Sequence, residues 1–182
     1  MTVQHKITIY TDGAARGNPG KAGWGAVFII HPYLTSPLLT LLKKGRSKEG
    51  VFEIGGGVKH ATNNQMELTA AIEALKYPNK LPLRQDLRGG VEIVSDSKYV
   101  ILGITEWIFN WERNGWRNAN KKLVLNRELW EELYELTKSL KPKWTYVKGH
   151  NENKWNERAD EIATSFAEGL PVELKKYQIN AG

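Results

Sequence analysis

Residues 7–13 read Ile7-Thr8-Ile9-Tyr10-Thr11-Asp12-Gly13, apolar and polar side chains in alternation until an acid and a glycine interrupt them. A period of two marks a strand with one buried face, and Asp-Gly is turn chemistry, so a strand is expected to stop at Asp12. The pattern recurs downstream. Val91, Ile93 and Val94 make a short apolar run that is stopped by Ser95-Asp96-Ser97. Strands that each end on an aspartate point to an open α/β sheet, the architecture that gathers polar chemistry at its strand ends.

Gly17-Asn18-Pro19-Gly20 is turn chemistry, and strands at 23–30 and about 51–58 complete an antiparallel meander with a long connection over residues 32–50 between them. Thr62 and Asn63 are N-cap candidates for a helix carrying Met66, Ala70, Ala71, Ala74 and Leu75 and ending before Pro78, with Glu67 in its first turns. Beyond Asp96, the spacing of Tyr99, Val100, Leu102, Ile104, Trp107, Ile108 and Trp111 predicts a helix that Asn114-Gly115 interrupts. An amphipathic helix follows over 127–140, then a strand over 144–147. Asn156 is expected to cap a last helix in which Ala159, Ile162, Ala163 and Phe166 share a face, with Gly169 as its stop. Residues 1–169 thus read as one domain and 170–182 as a loosely ordered tail.

A chain of 182 residues, 41% hydrophobic, fills one core. Its 26 Lys and Arg against 20 Asp and Glu leave a net charge of +6, which suits a polyanionic partner held by its backbone. The absence of cysteine excludes disulfides and thiolate zinc sites. The first residues lack the apolar core of a signal peptide, and the apolar run at 33–42 is short and broken by Pro37, so no membrane partner is expected and the cytoplasm is the expected compartment.

Asp12, Glu67, Asp96 and Asp160 each have an ordinary reading alone: turn residue, first-turn acid, N-cap, solvated helix face. Taken together they repel one another unless a cation joins them, and hard divalent ions such as Mg2+ prefer oxygen ligands and keep waters that a phosphate can displace. That chemistry belongs to phosphodiester cleavage.

The settings of these acids are Tyr10-Thr11-Asp12-Gly13, Asn63-Asn64-Gln65-Met66-Glu67-Leu68, Ser95-Asp96-Ser97, and Gly149-His150 followed by Glu157-Arg158-Ala159-Asp160. In this order, with Gly103-Ile104-Thr105, Trp107 and Trp111 between them, the chain resembles type 1 ribonuclease H over residues 6–167. The resemblance implies an α/β fold of the ribonuclease H-like kind: a five-stranded mixed sheet, three antiparallel strands and then parallel ones, with helices on both faces. It implies an enzyme that cuts the RNA strand of RNA/DNA hybrids endonucleolytically, leaving 5′-phosphate and 3′-hydroxyl ends and removing primers and stray hybrids. Asp12, Glu67, Asp96 and Asp160 would bind two Mg2+ ions with the substrate, Mn2+ being a substitute, and His150 would be an accessory proton carrier. Asn18, Asn63 and Asn64 would read the minor groove and Thr62 would hold a DNA phosphate. Trp111, Arg113, Trp116, Arg117, Lys121 and Lys122 would form a basic protrusion on the DNA strand. A monomer is expected.

Trp107 and Trp130 read as core rather than contact residues, and His5, His31 and His60 as structural. The connection at 32–50 is longer than is usual for the bacterial pattern, and Trp155 looks exposed where the family is more often polar or small. Two competing readings are a hybrid-binding module without turnover and another nuclease on the same fold, such as a resolvase or exonuclease. Intact carboxylates argue against the first, and the asparagines with the protrusion argue against the second.

Overall fold

The computed structural model describes residues 4–33, 50–80, 90–149 and 153–176. Strands β1 (Gln4–Arg16), β2 (Gly20–Tyr33) and β3 (Gly50–Ala61) form the antiparallel meander, and β4 (Val91–Ser95) and β5 (Lys143–Tyr146) add parallel strands on the far side of β1, giving the order β3-β2-β1-β4-β5. The helices are α1 (Asn63–Lys76), α2 (Lys98–Leu102), α3 (Ile108–Arg113), α4 (Arg127–Leu140) and α5 (Lys154–Glu168). The five-stranded mixed sheet of the expected α/β, ribonuclease H-like fold is present.

Strand parity sorts the two faces. Ile7, Ile9, Ala26, Phe28, Phe52, Val91 and Ile93 point to one side, where Leu68, Ala71, Ile72 and Leu75 of α1 meet them and Trp130 and Leu133 of α4 close the core. Phe28 and Phe52 stack with ring centroids 4.3 Å apart. The other face belongs to α5, whose Ala159 and Ile162 cover Val27. That contact is unusually close because β2 offers glycine there. A Cβ on Gly23 would stand 2.3 Å from the Ala163 carbonyl oxygen, and one on Gly25 2.6 Å from that of Ala159.

Several boundaries differ from the sequence expectation. β1 does not stop at Asp12 but pairs with β2 as far as Arg16↔Lys21, so the turn lies at Gly17, where φ is +79°. Asp-Gly tolerates extended backbone, and a hairpin partner decides the matter. The helix expected after Asp96 is interrupted by a π-helical turn, Gly103–Trp107, against which the Trp130 ring packs so closely that a Cβ on Gly103 would fall 2.0 Å from it. Trp107, expected in the core, is 36% exposed, with its ring edge on Tyr99. α5 is capped by Asn153, whose side chain accepts the Trp155 and Asn156 N–H groups, and Asn156 is released for another task. Trp155 is half-buried against the Val27 cluster.

Of the expected tail at 170–182, residues 170–176 pack against the domain and 177–182 lie outside the described residues. Val172 and Leu174 pack beside α5, the Val172 N–H donates to the Ser165 hydroxyl, and the Lys175 carbonyl accepts the Glu53 N–H at 2.8 Å.

Glu92 of β4 joins three strands. It accepts hydrogen bonds from Lys6 of β1 at 2.7 Å and from Lys143 and Thr145 of β5 at 2.9 and 2.8 Å. Burial opposes its charge, but these donors outweigh burial and hold the carboxyl at about 2 instead of 4.5. A depressed folded-state value stabilises the fold above the ordinary carboxylate range, and that gain is lost as pH falls through it. Glu92→Gln should therefore lower stability at pH 7 by about 1–3 kcal/mol. Thermal unfolding from pH 7 down to pH 2.5 should show the two proteins converging; a gap of constant size would show that the charge is not the stabilising feature.

Candidate active site

β1 runs parallel to β4 in the register Ile9↔Ile93 and Tyr10↔Val94. Extending that register by two residues brings Asp12 of β1 towards Asp96, which follows directly on β4 at the carboxyl end of the parallel strands, and the two carboxyls interact. Asp12 has the parity of Thr8 and Tyr10 and is 9% exposed. Its Oδ1 accepts the Gly13 N–H at 2.7 Å.

Glu67 arrives from α1 because Gly13 leaves room for it. A Cβ there would stand 2.3 Å from the Glu67 nitrogen and 2.4 Å from the Met66 carbonyl carbon, so the helix backbone rests directly on the strand. The helix starts where it does because Thr62 forms a capping box with Gln65: the Thr62 hydroxyl accepts the Gln65 N–H, and the Gln65 side chain accepts the Thr62 N–H at 2.8 Å.

Two side chains then fix the Glu67 carboxylate. Oε1 accepts the Asn63 amide at 3.0 Å, and Oε2 accepts the Ser97 hydroxyl at 2.5 Å. Ser97, not Asp96, is the N-cap of α2, its oxygen accepting the Val100 N–H. With the cap supplied by its neighbour, Asp96 is free to face the other acids. Asp96 Oδ2 accepts the Asn156 side-chain amide at 2.9 Å. Asn156 is buried, and its own Oδ1 has no hydrogen-bond partner among the described residues. Asp160 lies one turn further along α5, half-buried, with the Thr164 hydroxyl 3.4 Å away.

The electrostatics report the convergence. Burial first, then Asp96, and further Asp160 and Glu67, drive the Asp12 carboxyl up to about 8 against the Gly13 hydrogen bond. Burial likewise raises Glu67; the Ser97 and Asn63 hydrogen bonds oppose it, while Asp96 adds to the rise. Among the described residues, no group of three or more histidines, aspartates and glutamates is arranged to hold one metal ion. The donor set is nonetheless all oxygen, and the crowded charge is of the kind a hard divalent cation relieves.

The substrate-contact expectations divide. Asn18, in the β1–β2 turn, accepts the Asn63 N–H through Oδ1 at 3.1 Å, so the turn and the start of α1 form one surface with Asn64 exposed beside them. The protrusion is a separate surface. Arg113, Arg117, Lys121 and Lys122 are exposed, and the Arg117 guanidinium donates to the Lys121 carbonyl at 2.8 Å. Trp111 and Trp116 are only half-exposed, both packed on the main core, with Arg127 stacked 5.6 Å over the Trp116 ring. Trp107, Asn110, Trp111, Asn114, Arg117 and Ala119 line a cavity of about 280 Å³. His150 lies outside the described residues; the chain leading to it passes Asp96, since a Cβ on Gly149 would stand 2.7 Å from Asp96 Oδ2.

Sequence reasoning missed Asn156 and Ser97 as supports of the carboxylates. Asn156 had been assigned the cap that Asn153 supplies. Ser97 lay in the Ser-Asp-Ser motif, but only the contact with Glu67, thirty residues away, shows its second use.

Residues 4–168 match the family model described as RNase H. The chain is 47% identical over 157 residues to a ribonuclease H of Bradyrhizobium diazoefficiens, covering 86% of each chain, and 44% identical over 171 residues to one of Thermosynechococcus vestitus, covering 94% of each. In fold it is similar to LC11-RNase H1, solved in complex with an RNA/DNA hybrid, with a TM-score of 0.58 at 23% identity over 90% of this chain and 97% of that one.

Asp12 supplies a test of the crowding. A carboxyl raised to about 8 keeps its proton at neutral pH in the metal-free protein, so the folded state binds more protons than the unfolded one between about pH 4 and 8. The metal-free protein should accordingly lose stability as pH rises through that window. Asp12→Asn should melt higher than the parent at pH 8 and lose this advantage towards pH 4, and saturating Mg2+ should narrow the gap at pH 8 by raising the parent. Melting curves in EDTA that stay parallel from pH 4 to 8 would mean the four acids are not crowded.

Proposed function

The chain belongs to the ribonuclease H family, and from that premise we propose that it hydrolyses the RNA strand of RNA/DNA hybrids endonucleolytically, leaving 5′-phosphate and 3′-hydroxyl ends. Two Mg2+ ions bound with the substrate are part of the reading, with Mn2+ able to replace them. The observation that carries it is the crowding of acids: buried Asp12 lies within electrostatic reach of Asp96, Asp160 and Glu67, while Asp96 and Glu67 are oriented by the neutral donors Asn156, Ser97 and Asn63, which leaves the cluster short of positive charge. Mg2+ takes one or two protein carboxylates, retains waters and completes its shell with phosphate oxygens. When bound, such ions supply an acidified water and a counter-charge for the departing 3′-oxygen.

The chain's own residues then have distinct tasks. Asp12 and Asp96, adjacent across two parallel strands, are the pair best set to share ions, with Glu67 and Asp160 flanking them. Asn156 and Ser97 hold Asp96 and Glu67 in fixed orientation by hydrogen bonds of 2.9 and 2.5 Å. His150, two residues past Lys148 and next to Gly149, carries protons near neutral pH. Asn18, Asn63 and Asn64 sense the 2′-hydroxyl, the group that separates RNA from DNA. Thr62 retains a hydroxyl proton to offer a DNA phosphate. Trp111, Arg113, Trp116, Arg117, Lys121 and Lys122 grip the DNA strand. The setting is a cytoplasmic monomer that clears primers and transcriptional hybrids.

Incubating the pure protein and Mg2+ with a hybrid labelled on each strand in turn tests this directly: the RNA strand should be cut internally and the DNA strand left whole. Asp96→Asn should abolish cleavage, with hybrid binding retained, because removing a metal-facing charge costs several kcal/mol of transition-state stabilisation. Turnover within about tenfold of the parent would remove Asp96 from the site.

Replacing Arg113, Arg117, Lys121 and Lys122 together with Ala should raise KM and flatten the salt dependence of hybrid binding by up to about one log unit per lost phosphate contact. Turnover at saturation should stay near that of the parent, since only uniform binding is lost. A collapse at saturation would mean instead that these residues support the fold.

A further inference from the structure

Helix α5 carries Asp160 and, one turn earlier, the Asn156 that holds Asp96. The surface beneath the helix is partly glycine. Gly23 and Gly25 of β2 and Gly55 of β3 lie under it, and a Cβ on Gly55 would stand 2.6 Å from Ile162 Cγ2. Helices ordinarily find their register by seating ridges of side chains in grooves, and here Ile162 and Phe166 of α5 rest in the space that the glycines leave, which brings the helix close to the sheet. Small errors matter here. Turning the helix by about 10° about its axis moves a carboxylate roughly 6 Å from that axis by about 1 Å, whereas Mg2+–oxygen distances are confined to about 2.0–2.1 Å.

Something directional does index the helix. Glu53 of β3, its side chain wholly buried, accepts Arg158 Nε on Oε1 at 3.0 Å and Arg158 Nη2 on Oε2 at 2.9 Å. The Lys175 N–H donates to Oε2 at 2.9 Å, and the Glu53 N–H donates to the Lys175 carbonyl at 2.8 Å. Arg158 Nη2 also reaches the Glu173 carbonyl, and Nη1 reaches Glu161, both at 2.8 Å. Lys175 stands 5.6 Å over the Trp155 ring near the start of the helix. The donors outweigh burial and keep Glu53 charged, its carboxyl below the usual range. A buried ion pair is a poor source of stability compared with apolar packing of the same shape, and its best-attested return is a fixed geometry. The fork of a guanidinium on a carboxylate fixes both rotation and translation.

We propose that Glu53, Arg158 and the segment 170–176 form a positioning clamp that sets α5 in the rotation at which Asp160 and Asn156 serve the cation site. Arg158 lies midway between those two residues along the helix, so the clamp acts at the point where its leverage on both is shortest. Its members act on the site through Asp160 and Asn156. The inference rests on the reading of the acidic cluster as a cation site and adds residues to it.

Glu53→Gln keeps the shape and removes the charge, Arg158→Lys keeps the charge and removes the fork, and Lys175→Pro deletes the one backbone donor from outside the core elements. Mg2+ alone is titrated calorimetrically into each hybrid-free protein, well below its melting temperature, and kcat, KM and hybrid affinity in EDTA are measured alongside. The expected result is Mg2+ binding weakened about tenfold and kcat reduced by a similar factor or more, with KM and metal-free hybrid binding within about twofold of the parent. Arg158→Lys should fail to rescue. Variants that melt lower but bind Mg2+ as the parent does would overturn the proposal and leave the clamp a plain stabiliser. Should Glu53→Gln not fold, Lys175→Pro decides by the same criterion. A parent that binds Mg2+ but cuts neither strand would defeat the hydrolase reading, while the Mg2+ shift between parent and variants would still judge the clamp.

Discussion

Like charge held close together at the end of a sheet is the constraint that organises this molecule. Asp12 cannot be moved, because the register of β1 against β4 sets it beside Asp96, and it cannot be well solvated, because α1 and α5 close over both faces. The surroundings answer that strain with neutral donors: the Gly13 N–H on Asp12, Asn156 on Asp96, and Asn63 and Ser97 on Glu67. Amides and hydroxyls orient a carboxylate without neutralising it. A lysine in any of these places would satisfy the charge permanently and leave nothing for a cation to do. The contrast with Glu53 and Glu92 makes the point, since those two acids, away from the cluster, are paired with arginine and lysine and sit below their ordinary range.

Backbone proximity does the remaining work. Gly13 lets α1 touch β1, and Gly23 and Gly25 let α5 touch β2, so that acids from three different layers come within electrostatic reach of Asp12. Directional polar contacts add to this packing: the Thr62–Gln65 box for α1, the Arg158–Glu53 fork for α5.

Much of this was legible in the sequence, and the reasons are local. The alternation of Ile7 and Ile9, the run at Val91 to Val94 and the capping pattern at Thr62 each carry their structure within a few residues, and the acids were recognisable through the motifs around them. What the sequence concealed depends on partners distant along the chain. Arg16 pairs with Lys21, so β1 outruns its Asp-Gly signal; Trp130 presses on Gly103, so the helix between them takes a π turn; Asn153 caps α5, so Asn156 is spent on Asp96. The segment at 170–176 was the least legible, because its polar residues Glu173 and Lys175 look like solvated tail until their contacts with Arg158 and the buried Glu53 are seen.

Asn63 belongs to two neighbourhoods at once. Its backbone N–H is held by Asn18 in the turn assigned to the minor groove, and its side-chain amide is held by Glu67 in the acidic cluster. If the turn and the cluster bind as proposed, one residue links the two places. Whatever shifts the Asn63 amide also alters how much lone-pair density Glu67 has to offer, and thermodynamic reciprocity requires the converse: an occupied cluster must change the affinity of the groove by the same factor. A hybrid and a cation would then bind as heterotropic ligands of a single cooperative unit, with a three-atom amide as the link between them.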